Sequence, residues 1–358
     1  MSGVVSAPPR GRLRLRPLAE RPRCSIIIPC YNEEGFIEDV LRAALQQRYP
    51  PDLLEIFVVD GGSTDRTREI VARVAAADPR VTLLHNPGRV QAAAMNLGIR
   101  RSRGQVIVRM DAHADYADDY VAASVAVLRR TGALNAGGAA RPRYRNGFQR
   151  ALCAALSSPL GVGGSAYRDP SREGFVESVF NGAFRREAFE IAGLYDPAAI
   201  TNEDAELNQR IIEAGGAVYL SRAIVAHYYP RASLAALARQ YFAYGMGRAR
   251  TLLCRRRLLS LRPMVPFLAV TVFALLALAS VGLASIRPAL AGASLAYAAL
   301  VIAESLRLSR RASVADFPLL CALFPTMHAA HGLGFWAGLL RGARDRARRR
   351  EAGRLPVR

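Results

Sequence analysis

Two predicted strands of this sequence end in an aspartate, and this coincidence is the first sign of a functional site. Asp60 closes the apolar run EIFVVD (55–60), and Asp111 closes QVIVRMD (105–111). In parallel sheets the carboxyl ends of the strands meet at one edge, where ligands bind, so the two carboxylates should share a crevice. Two glycines after Asp60 would let a ligand approach the backbone, although an ordinary Asx turn explains the same residues.

The segment MDAHAD (110–115) places three polar side chains on alternate residues, Asp111, His113 and Asp115. Carboxylates with this spacing can converge on one hard cation that bridges two phosphates. An imidazole in the middle position suits Mn²⁺ at least as well as Mg²⁺. The competing interpretation is a solvated loop whose acids cap neighbouring elements, and the motif alone does not decide between the two.

A third acidic motif, NED (202–204), follows a Gly-rich, aromatic segment and begins a predicted helix. An ionised Asp204 that faced a substrate hydroxyl could act as a general base, because it would accept the proton as the hydroxyl attacks. Acids are also favoured in the first turn of any helix, where they complement the positive end of the dipole. For Glu203 and Asp204 taken alone, the two explanations are equally good.

Four other polar residues are weaker candidates for contacts to a phosphate or an acceptor. Arg185 and Arg186 could neutralise phosphate charge. His227 precedes an aromatic pair and could contact a diphosphate or a metal, although a structural histidine is the simpler interpretation. Gln240 could contact an acceptor, but a packed helix accounts for it at least as well.

The elements that must hold these residues alternate, from residue 24 onward, between short β-branched runs and amphipathic stretches. Predicted strands cover 25–29, 55–60, 81–85 and 105–111, and predicted helices cover 34–47, 65–76 and 91–100. This alternation indicates βαβ units, a parallel sheet and an α/β fold. Residues 137–180, rich in Gly, Arg and Ser, are predicted to form a long functional loop or lid.

The formal charge of +20 invites a nucleic-acid interpretation, but the distribution of the charge argues against it. Segments 1–23, 248–262 and 341–358 carry net charges of +5, +6 and +6, and the chain contains no lysine. No basic-aromatic stripe or groove-reading helix accompanies this charge, so no nucleic-acid partner is predicted. Basic runs beside apolar segments are typical of contact with anionic headgroups, and membrane lipids are the predicted partner.

The stretch after residue 262 predicts a membrane module. The uncharged window 263–286 would span ~35 Å as a helix, which is enough for a hydrocarbon core of ~30 Å. Segment 288–306 is a second, shorter candidate. Segment 317–340 is expected to re-enter rather than cross, with 325–332 supplying the break, because a full crossing would place the basic tail outside.

Several features indicate the orientation of the chain. The positive-inside rule places the soluble part and the loop 307–311 on the cytoplasmic side. Residues 1–23 lack the apolar core of a signal peptide, and five scattered cysteines without a CxxC pair indicate a reducing compartment. We therefore expect a protein of the inner (plasma) membrane whose catalytic domain is cytoplasmic.

These motifs, in this order, resemble a known family. The matching segments are SIIIPCYNEE, EIFVVDGGSTDRT, the Asn96/Gly98/Gly104 pattern, RMDAHAD, NGAFRR and NED, within residues 24–260. Together they resemble the family-2 inverting glycosyltransferases with a GT-A fold. The subtype they most resemble is the membrane-anchored glucosyltransferases of succinoglycan-type exopolysaccharide synthesis.

The resemblance implies a role for each matching residue. The implied nucleotide-binding residues are Pro29, Tyr31, Glu33, Asp60 and Asp111. It also implies that Asp111 and His113 stand at a site for Mn²⁺ or Mg²⁺ and that Asp204 is the catalytic base. His113 departs from the family pattern, which usually has Asp there. This departure leaves open the metal's identity and whether His113 or Asp115 is the ligand.

The predicted organisation has five parts. They are a disordered basic arm (1–22), a GT-A Rossmann-like nucleotide-sugar-binding catalytic domain (23–232), interfacial amphipathic helices (233–262), transmembrane or re-entrant helices (263–340) and a basic tail (341–358). The QxxRW signature of processive synthases is absent, because Ala243 and Tyr244 follow Gln240 where Arg and Trp would stand. Addition of one sugar is therefore expected.

The implied function is metal-dependent transfer of a hexose, glucose by expectation, from a UDP-linked donor to a lipid-linked saccharide in exopolysaccharide or cell-surface glycan synthesis. Other glycan-assembly proteins are expected partners. A polyprenyl-phosphate sugar synthase and a non-catalytic membrane scaffold with an inherited GT-A fold are the alternatives. A sugar-nucleotide pyrophosphorylase is disfavoured, because the first strand leads into CYNEE instead of a Gly-rich nucleotide loop.

Overall fold

The computed structural model describes residues 4–5, 13–162, 166–197, 203–255 and 264–352, with side chains left undescribed at 4–5, 254–255 and 345–352. The chain divides into two compact units. The first, which we call the sheet unit, comprises residues 1–143 and 164–229. The second, which we call the helical unit, comprises residues 144–163 and 230–358.

The strands and helices of the described residues lie within these two units. The strands are Val4–Val5 (β1), Cys24–Cys30 (β2), Leu54–Asp60 (β3), Val81–His85 (β4), Val106–Arg109 (β5), Ala114–Tyr116 (β6), Asn135–Gly138 (β7), Ala140–Pro142 (β8), Gly174–Val176 (β9), Phe180–Arg185 (β10), Val218–Leu220 (β11) and Ala226–Tyr228 (β12). The helices are Ile37–Leu45 (α1), Thr67–Ala77 (α2), Gln91–Arg101 (α3), Tyr120–Thr131 (α4), Gly147–Leu156 (α5), Pro159–Val162 (α6), Glu187–Ala192 (α7), Glu203–Glu213 (α8), Leu234–Arg255 (α9), Met264–Gly282 (α10), Arg287–Ser309 (α11) and Phe317–Ala352 (α12).

The sheet unit is built on a nine-stranded mixed sheet with the order β1-β9-β11-β7-β10-β5-β2-β3-β4. Strands β5, β2, β3 and β4 are parallel, which confirms the predicted βαβ half. The other half is mixed, because β10 runs antiparallel to both β5 and β7. A separate three-stranded sheet has the order β6-β12-β8.

Strand β2 lies at the centre of this sheet, and both of its faces are buried. Ile26 and Ile28 pack with residues of α1 and α4 on one side. Ile27 packs with residues of α3 and α8 on the other side. A continuous β-branched run is what a strand covered on both faces requires, which explains why SIIIP was recognisable as a buried strand.

The described part of the predicted disordered arm is ordered, which corrects that prediction. Val4–Val5 pairs with β9 in antiparallel register. The Arg16 backbone N–H donates to Glu187 Oε1 at 2.7 Å, and Leu13 and Leu15 pack against the core. The alternation of leucine and arginine in LRLRPL lets one side bury while the other stays solvated. Residues 1–3 and 6–12 lie outside the described residues.

The stretch 137–180 contains regular structure, which corrects the prediction of a long loop. It holds β8, α5, α6 and β9, and residues 163–165 lie outside the described part. Within it, residues 144–163 belong to the helical unit, so the predicted boundary 23–232 is not that of the sheet unit. The apolar side chains of α5 recur at helical spacing and are buried, which the Gly- and Arg-rich composition obscured.

Polar bonds tie α5 and the turn after it to later segments of the helical unit. Arg150 makes a bidentate salt bridge with the buried Asp316, with N–O distances of 2.9 and 2.8 Å. The Ser158 hydroxyl donates to Glu304 of α11. Paired, hydrogen-bonded charges of this kind are the form in which ionic groups are tolerated in a buried setting.

Two segments, Met264–Gly282 and Ala284–Ser309, are long and apolar enough to cross a membrane by length and composition. The side chains of Leu275, Leu278 and Val281 in α10 are more than half exposed. A core helix of a soluble protein would bury such side chains, so this exposure indicates an apolar surrounding. The interfacial helices predicted over 233–262 correspond to one helix, α9, up to Arg255, and residues 256–263 lie outside the described residues.

Helix α12 runs without interruption from Phe317 to Ala352, with Pro325 inside it. The re-entrant break predicted at 325–332 is therefore absent. Pro removes a single hydrogen bond and commonly kinks a helix without ending it. The glycines that suggested a break are instead used for close packing against α9.

Three glycines of α12, each four residues from the next, allow its backbone to approach α9. A Cβ atom placed on Gly334 would lie 2.0 Å from the Phe242 carbonyl oxygen. A Cβ on Gly338 would lie 2.9 Å from the Met246 carbonyl oxygen, and one on Gly342 would lie 2.3 Å from Leu253 Cδ1. Small residues at such spacing are typical of closely packed membrane helices.

We expect Gly334→Ala to lower the free energy of unfolding by about 1–3 kcal/mol, because the added methyl group overlaps backbone that cannot move independently. Gly292→Ala is the matched control, since a Cβ at Gly292 of α11 meets nothing within 4 Å. That control should be neutral or stabilising by up to about 1 kcal/mol, as alanine is the better helix former. Thermal unfolding of the purified full chain in detergent measures both. Equal midpoints for the two variants would contradict the close approach of α9 and α12.

Candidate active site

Two loops at the carboxyl edge of the sheet are joined by side chain to backbone hydrogen bonds. The Asn32 N–H donates to Ser63 Oγ, the Thr64 N–H to Asn32 Oδ1 and the Glu33 N–H to Thr67 Oγ1, each at 2.8 Å. Asn32 adopts a φ of 55°, a left-handed conformation that asparagine tolerates. This network fixes the loop that follows β2 against the loop that follows β3.

Three residues predicted to bind the nucleotide lie at this edge. Asp60 ends β3 and pairs in register with Cys30, one residue after Pro29 on β2. The side chain of Tyr31 is 53% exposed, which leaves its ring available to a ligand. The carboxylate of Asp60 is buried and accepts hydrogen bonds from the N–H groups of Gly62 and Ser63, at 3.0 Å and 3.1–3.2 Å. Asp60 therefore also forms the Asx turn considered for it from the sequence.

One arginine, Arg109, brings the other predicted acids together. It is the last residue of β5, and its side chain is only 5% exposed. Its Nε donates to Asp111 Oδ1 at 2.8 Å, and its Nη2 approaches Asp111 Oδ2 at 3.3 Å. Its Nη1 approaches both carboxylate oxygens of Asp204 at 2.6 and 2.7 Å and Glu203 Oε1 at 3.3 Å. Acids that are more than ninety residues apart in the chain thus share the guanidinium group of Arg109.

Burial and mutual repulsion perturb the pKa values of this cluster. Burial raises the pKa of Glu203 to about 7, and the neighbouring charge of Asp204 adds to the rise. Burial also raises the pKa of Asp204, with Arg109 acting in the opposite direction. Burial acts to raise the pKa of Asp111, but the charge and hydrogen bonds of Arg109 lower it overall. The cluster is therefore short of positive charge at its Glu203 and Asp204 end.

The raised pKa of Glu203 predicts a pH-dependent stability. Its pKa in the fold, about 7, lies above its ordinary value of 4.5, so the stability it contributes is fully present below pH 4.5 and is lost as the pH rises through 7. In the wild-type chain the unfolding midpoint should fall between pH 4.5 and pH 7. Glu203→Gln should reduce this fall, because the amide cannot ionise. Thermal unfolding of both proteins at a series of pH values measures the effect. Parallel curves would contradict the assigned shift.

The two candidate partners of Asp111 in a metal site have different surroundings. His113 Nδ1 lies 3.4 Å from Glu33 Oε1, and the His113 side chain is about half exposed. Asp115 accepts hydrogen bonds from the Tyr229 hydroxyl at 3.0 Å and from Arg143 Nη1 at 3.3 Å. The carboxylate of Asp115 is thus already engaged beside the three-stranded sheet. This arrangement favours His113 over Asp115 as the second metal ligand.

Asp111 and His113 fit a divalent cation whose remaining ligands come from a bound diphosphate. Among the described residues, no group of three or more His, Cys, Asp or Glu side chains could hold a metal ion. Three carboxylates in the Arg109 cluster face one guanidinium, so the site has an excess of negative charge that a dication would offset. Carboxylate and imidazole donors at Asp111 and His113 suit Mn²⁺ or Mg²⁺, and diphosphate oxygens would have to supply the remaining ligands.

The predicted phosphate contacts at Arg185 and Arg186 are not supported, because these side chains lie at the other end of β5. Arg185 pairs in register with Val106, and its Nη1 donates to the Arg16 carbonyl at 2.8 Å. The Arg186 guanidinium binds the carbonyls of Gly104 and Ser102 at 2.6 and 3.0 Å. Both arginines therefore stabilise the amino-terminal edge of the sheet.

The remaining two candidates lie outside the acid cluster. His227 is on β12, in register with Asp115 and Arg141 of the neighbouring strands. Burial and the charges of Arg143 and Arg141 lower the pKa of His227, which is typical of a neutral histidine. Gln240 belongs to the helical unit, where its Nε2 donates to the Tyr244 hydroxyl at 2.9 Å.

Arg109 and the polar residues around it were not predicted from the sequence. Gln91 Nε2 donates to Asp111 Oδ1 at 3.2 Å, which gives that carboxylate a second donor. Asn96, noted only as part of a pattern, pairs with the backbone of Tyr195 through two hydrogen bonds of 2.8 and 2.9 Å. The one available signal for Arg109 was a charged residue inside an otherwise apolar strand, two positions before Asp111.

The acids at the carboxyl edge of this sheet form a candidate site, and comparison with known proteins gives the family. Residues 25–191 match the model of glycosyl transferase family 2. The chain is 36% identical over 317 residues to the succinoglycan biosynthesis protein ExoA of Rhizobium meliloti, an alignment covering 88% of this chain and 94% of that protein. The chain belongs to glycosyltransferase family 2.

Two further similarities extend over nearly the whole chain. A glucuronosyltransferase of Methanococcus voltae, named as acting on dolichyl N-acetyl-α-D-glucosaminyl phosphate, is 28% identical over 330 residues, covering 89% of this chain and 97% of that protein. The mannosyltransferase PcManGT from Pyrobaculum calidifontis, solved with GDP-Man and Mn²⁺, superposes with a TM-score of 0.58 at 23% identity, covering 93% and 90% of the two chains. The predicted GT-A-type α/β fold with C-terminal helices is thus confirmed.

Proposed function

We propose that this chain is an inverting hexosyltransferase that moves glucose from UDP-glucose to a lipid-linked saccharide at the cytoplasmic face of the inner membrane. The observation that carries the proposal is the junction made by Arg109 between Asp111, at the donor side, and Asp204, the proposed base. Asp60 lies at the same edge of the sheet, two strands away from β5. A nucleotide and an acceptor hydroxyl could therefore meet at one place.

The proposed reaction is a single displacement at the anomeric carbon. Asp204 accepts the proton of the acceptor hydroxyl while that oxygen bonds to the anomeric carbon from the face opposite the diphosphate. The bond between the anomeric carbon and the diphosphate oxygen breaks, its electron pair leaves with UDP, and the configuration inverts. A dication bound with Asp111 and His113 would neutralise the departing diphosphate. Tyr31 and Asp60 would hold the nucleoside.

The helical unit and the related proteins support a lipid-linked acceptor. Apolar side chains exposed on α10 and the basic runs beside the helices suit a chain held at an anionic membrane surface. The Methanococcus relative is named for a sugar on a dolichyl phosphate, and ExoA for a polysaccharide. An acceptor that cannot leave the membrane explains why a sugar transferase would carry apolar helices.

Transfer can be tested directly in membranes that contain the overproduced chain. Membranes are incubated with radiolabelled UDP-glucose, UDP-galactose, UDP-N-acetylglucosamine or GDP-mannose, with and without Mn²⁺ or Mg²⁺, and the lipids are then extracted. We expect label from UDP-glucose in the lipid fraction, on an oligosaccharide that mild acid releases. A released monosaccharide would instead identify a polyprenyl-phosphate sugar synthase. If no donor labels lipid above the level in membranes with Asp204→Asn, the proposal fails and the non-catalytic scaffold is favoured.

A further inference from the structure

Arg109 distributes its hydrogen-bond donors over both halves of the candidate site. The edge formed by Nε and Nη2 faces Asp111, and Nη1 faces Asp204 and Glu203. Both carboxylate oxygens of Asp204 lie within 2.7 Å of that single nitrogen. A buried arginine with three acidic partners is a costly arrangement for stability alone, because each desolvated charge must be compensated.

We propose that Arg109 is a positioning residue that fixes the carboxylate of Asp204 relative to the donor-side Asp111 and so aims the base at the acceptor hydroxyl. This inference rests on the proposed function, in which Asp204 takes the proton. Arg109 does not contact the reacting atoms in this scheme. It acts through Asp204.

Asp111 does not depend on Arg109 alone for its position. Its carboxylate has a second donor in Gln91, at 3.2 Å. Its backbone N–H donates to the Tyr116 hydroxyl, which in turn accepts from Asn181 Nδ2 at 2.7 Å. Asp111 also lies only two residues beyond the end of β5, a fully buried central strand. The donor side of the site is therefore fixed by several independent bonds.

Asp204 is held more weakly without Arg109. It lies in the first turn of α8, and the side chains that anchor this helix are farther along it. Leu207 and Ile211 are fully buried, and Asn208 Oδ1 accepts from Asn135 Nδ2 at 2.7 Å. The first turn carries an acid that burial disfavours, and Arg109 is the cation that compensates it. Loss of the Arg109 contacts should therefore displace the carboxylate of Asp204 more than that of Asp111.

Lysine cannot reproduce this arrangement. The guanidinium is a rigid planar fork with five N–H donors, so it can serve two carboxylates on different edges at once. An ammonium group is a compact point charge that approaches one of them. Arg109→Lys thus keeps the charge in the cluster but removes the fixed separation between Asp111 and Asp204.

The test compares Arg109→Lys with Arg186→Lys in the full chain. Arg186 is a matched control, because it is a partly buried arginine that binds Gly104, Ser102 and Ile99 at the other end of β5. For Arg109→Lys we expect kcat for transfer from UDP-glucose to fall about 100-fold, the usual result of displacing a catalytic group by about 1 Å. The Kd of UDP in the presence of Mn²⁺, measured by titration calorimetry, should change less than about threefold. Gln91 and Tyr116, the other two partners of Asp111, remain in this variant.

Three outcomes would overturn the inference while leaving the proposed function intact. They are near wild-type kcat in Arg109→Lys, loss of UDP affinity together with kcat, and equal losses of kcat and unfolding midpoint in Arg109→Lys and Arg186→Lys. The second outcome would make Arg109 a donor-binding residue, and the third a structural one. Absence of transfer by the wild-type chain would instead reject the proposed function itself.

Discussion

Replacing Asp204 with asparagine should abolish sugar transfer while leaving UDP binding intact. The amide keeps the size and the hydrogen bond from Arg109 but cannot accept the acceptor proton, and positioned general bases contribute about 10²–10⁴-fold to rate. We therefore expect kcat to fall by about 10³-fold or more, with the Kd of UDP and Mn²⁺ changed less than about threefold. Radiolabel transfer to lipid measures the first quantity, and titration calorimetry the second.

Glu206→Gln is the control for this experiment. Glu206 lies on the same helix two residues further, and its carboxylate is bound to Arg210 at 2.8–3.1 Å. Its substitution should leave kcat within about threefold of wild type, because the amide oxygen can still accept a hydrogen bond from Arg210. Near wild-type transfer by Asp204→Asn would mean that another group takes the proton.

Replacing Asp111 with asparagine should remove the effect of Mn²⁺ on UDP affinity. A neutral amide is a poor ligand for a hard dication, and the change also leaves Arg109 with one carboxylate fewer. We expect kcat/KM for the donor to fall by about 10²-fold or more, since the charge that would neutralise the departing diphosphate is no longer held. Calorimetric titration of UDP with and without Mn²⁺ separates this effect from a general loss of folding.

Asp115→Asn tests whether Asp115, rather than Asp111 with His113, binds the metal. Asp115 is bonded to Tyr229 and Arg143, which directly follow strands of the three-stranded sheet, so its removal should leave the Mn²⁺ dependence of UDP affinity in place. The reverse result, with Asp115→Asn losing the dependence and Asp111→Asn keeping it, would exchange the two assignments. His113→Ala should weaken the dependence without removing it, because Asp111 would remain.

Local patterns predicted the parallel half of the sheet and the acids at its edge with good accuracy. The run SIIIP corresponds to β2, and EIFVVD corresponds to β3, with Asp60 at its end as expected. These features depend on neighbouring residues, because a buried strand must be apolar and a ligand site must follow its carboxyl end. The mixed half was not predicted, since its short strands pair across long sequence separations.

The centre of the acid cluster was missed for a related reason. Arg109 and Asp204 are 95 positions apart, and nothing in either segment indicates the other. The glycines of α12 were misread because a glycine-rich helix that packs closely and a broken helix have the same composition. In α5, arginine and glycine hid an apolar face whose partners lie far along the chain.

The order in which the chain visits its two units has a practical consequence. Residues 144–163 leave the sheet unit in mid-sequence, fold with the later helices, and return before β9. A fragment ending near residue 230 would thus keep Leu152, Ala155 and Leu156 of α5 but lose Asp316, the partner of Arg150. A fragment restricted to the sheet unit would have to omit 144–163 in addition to the C-terminal helices.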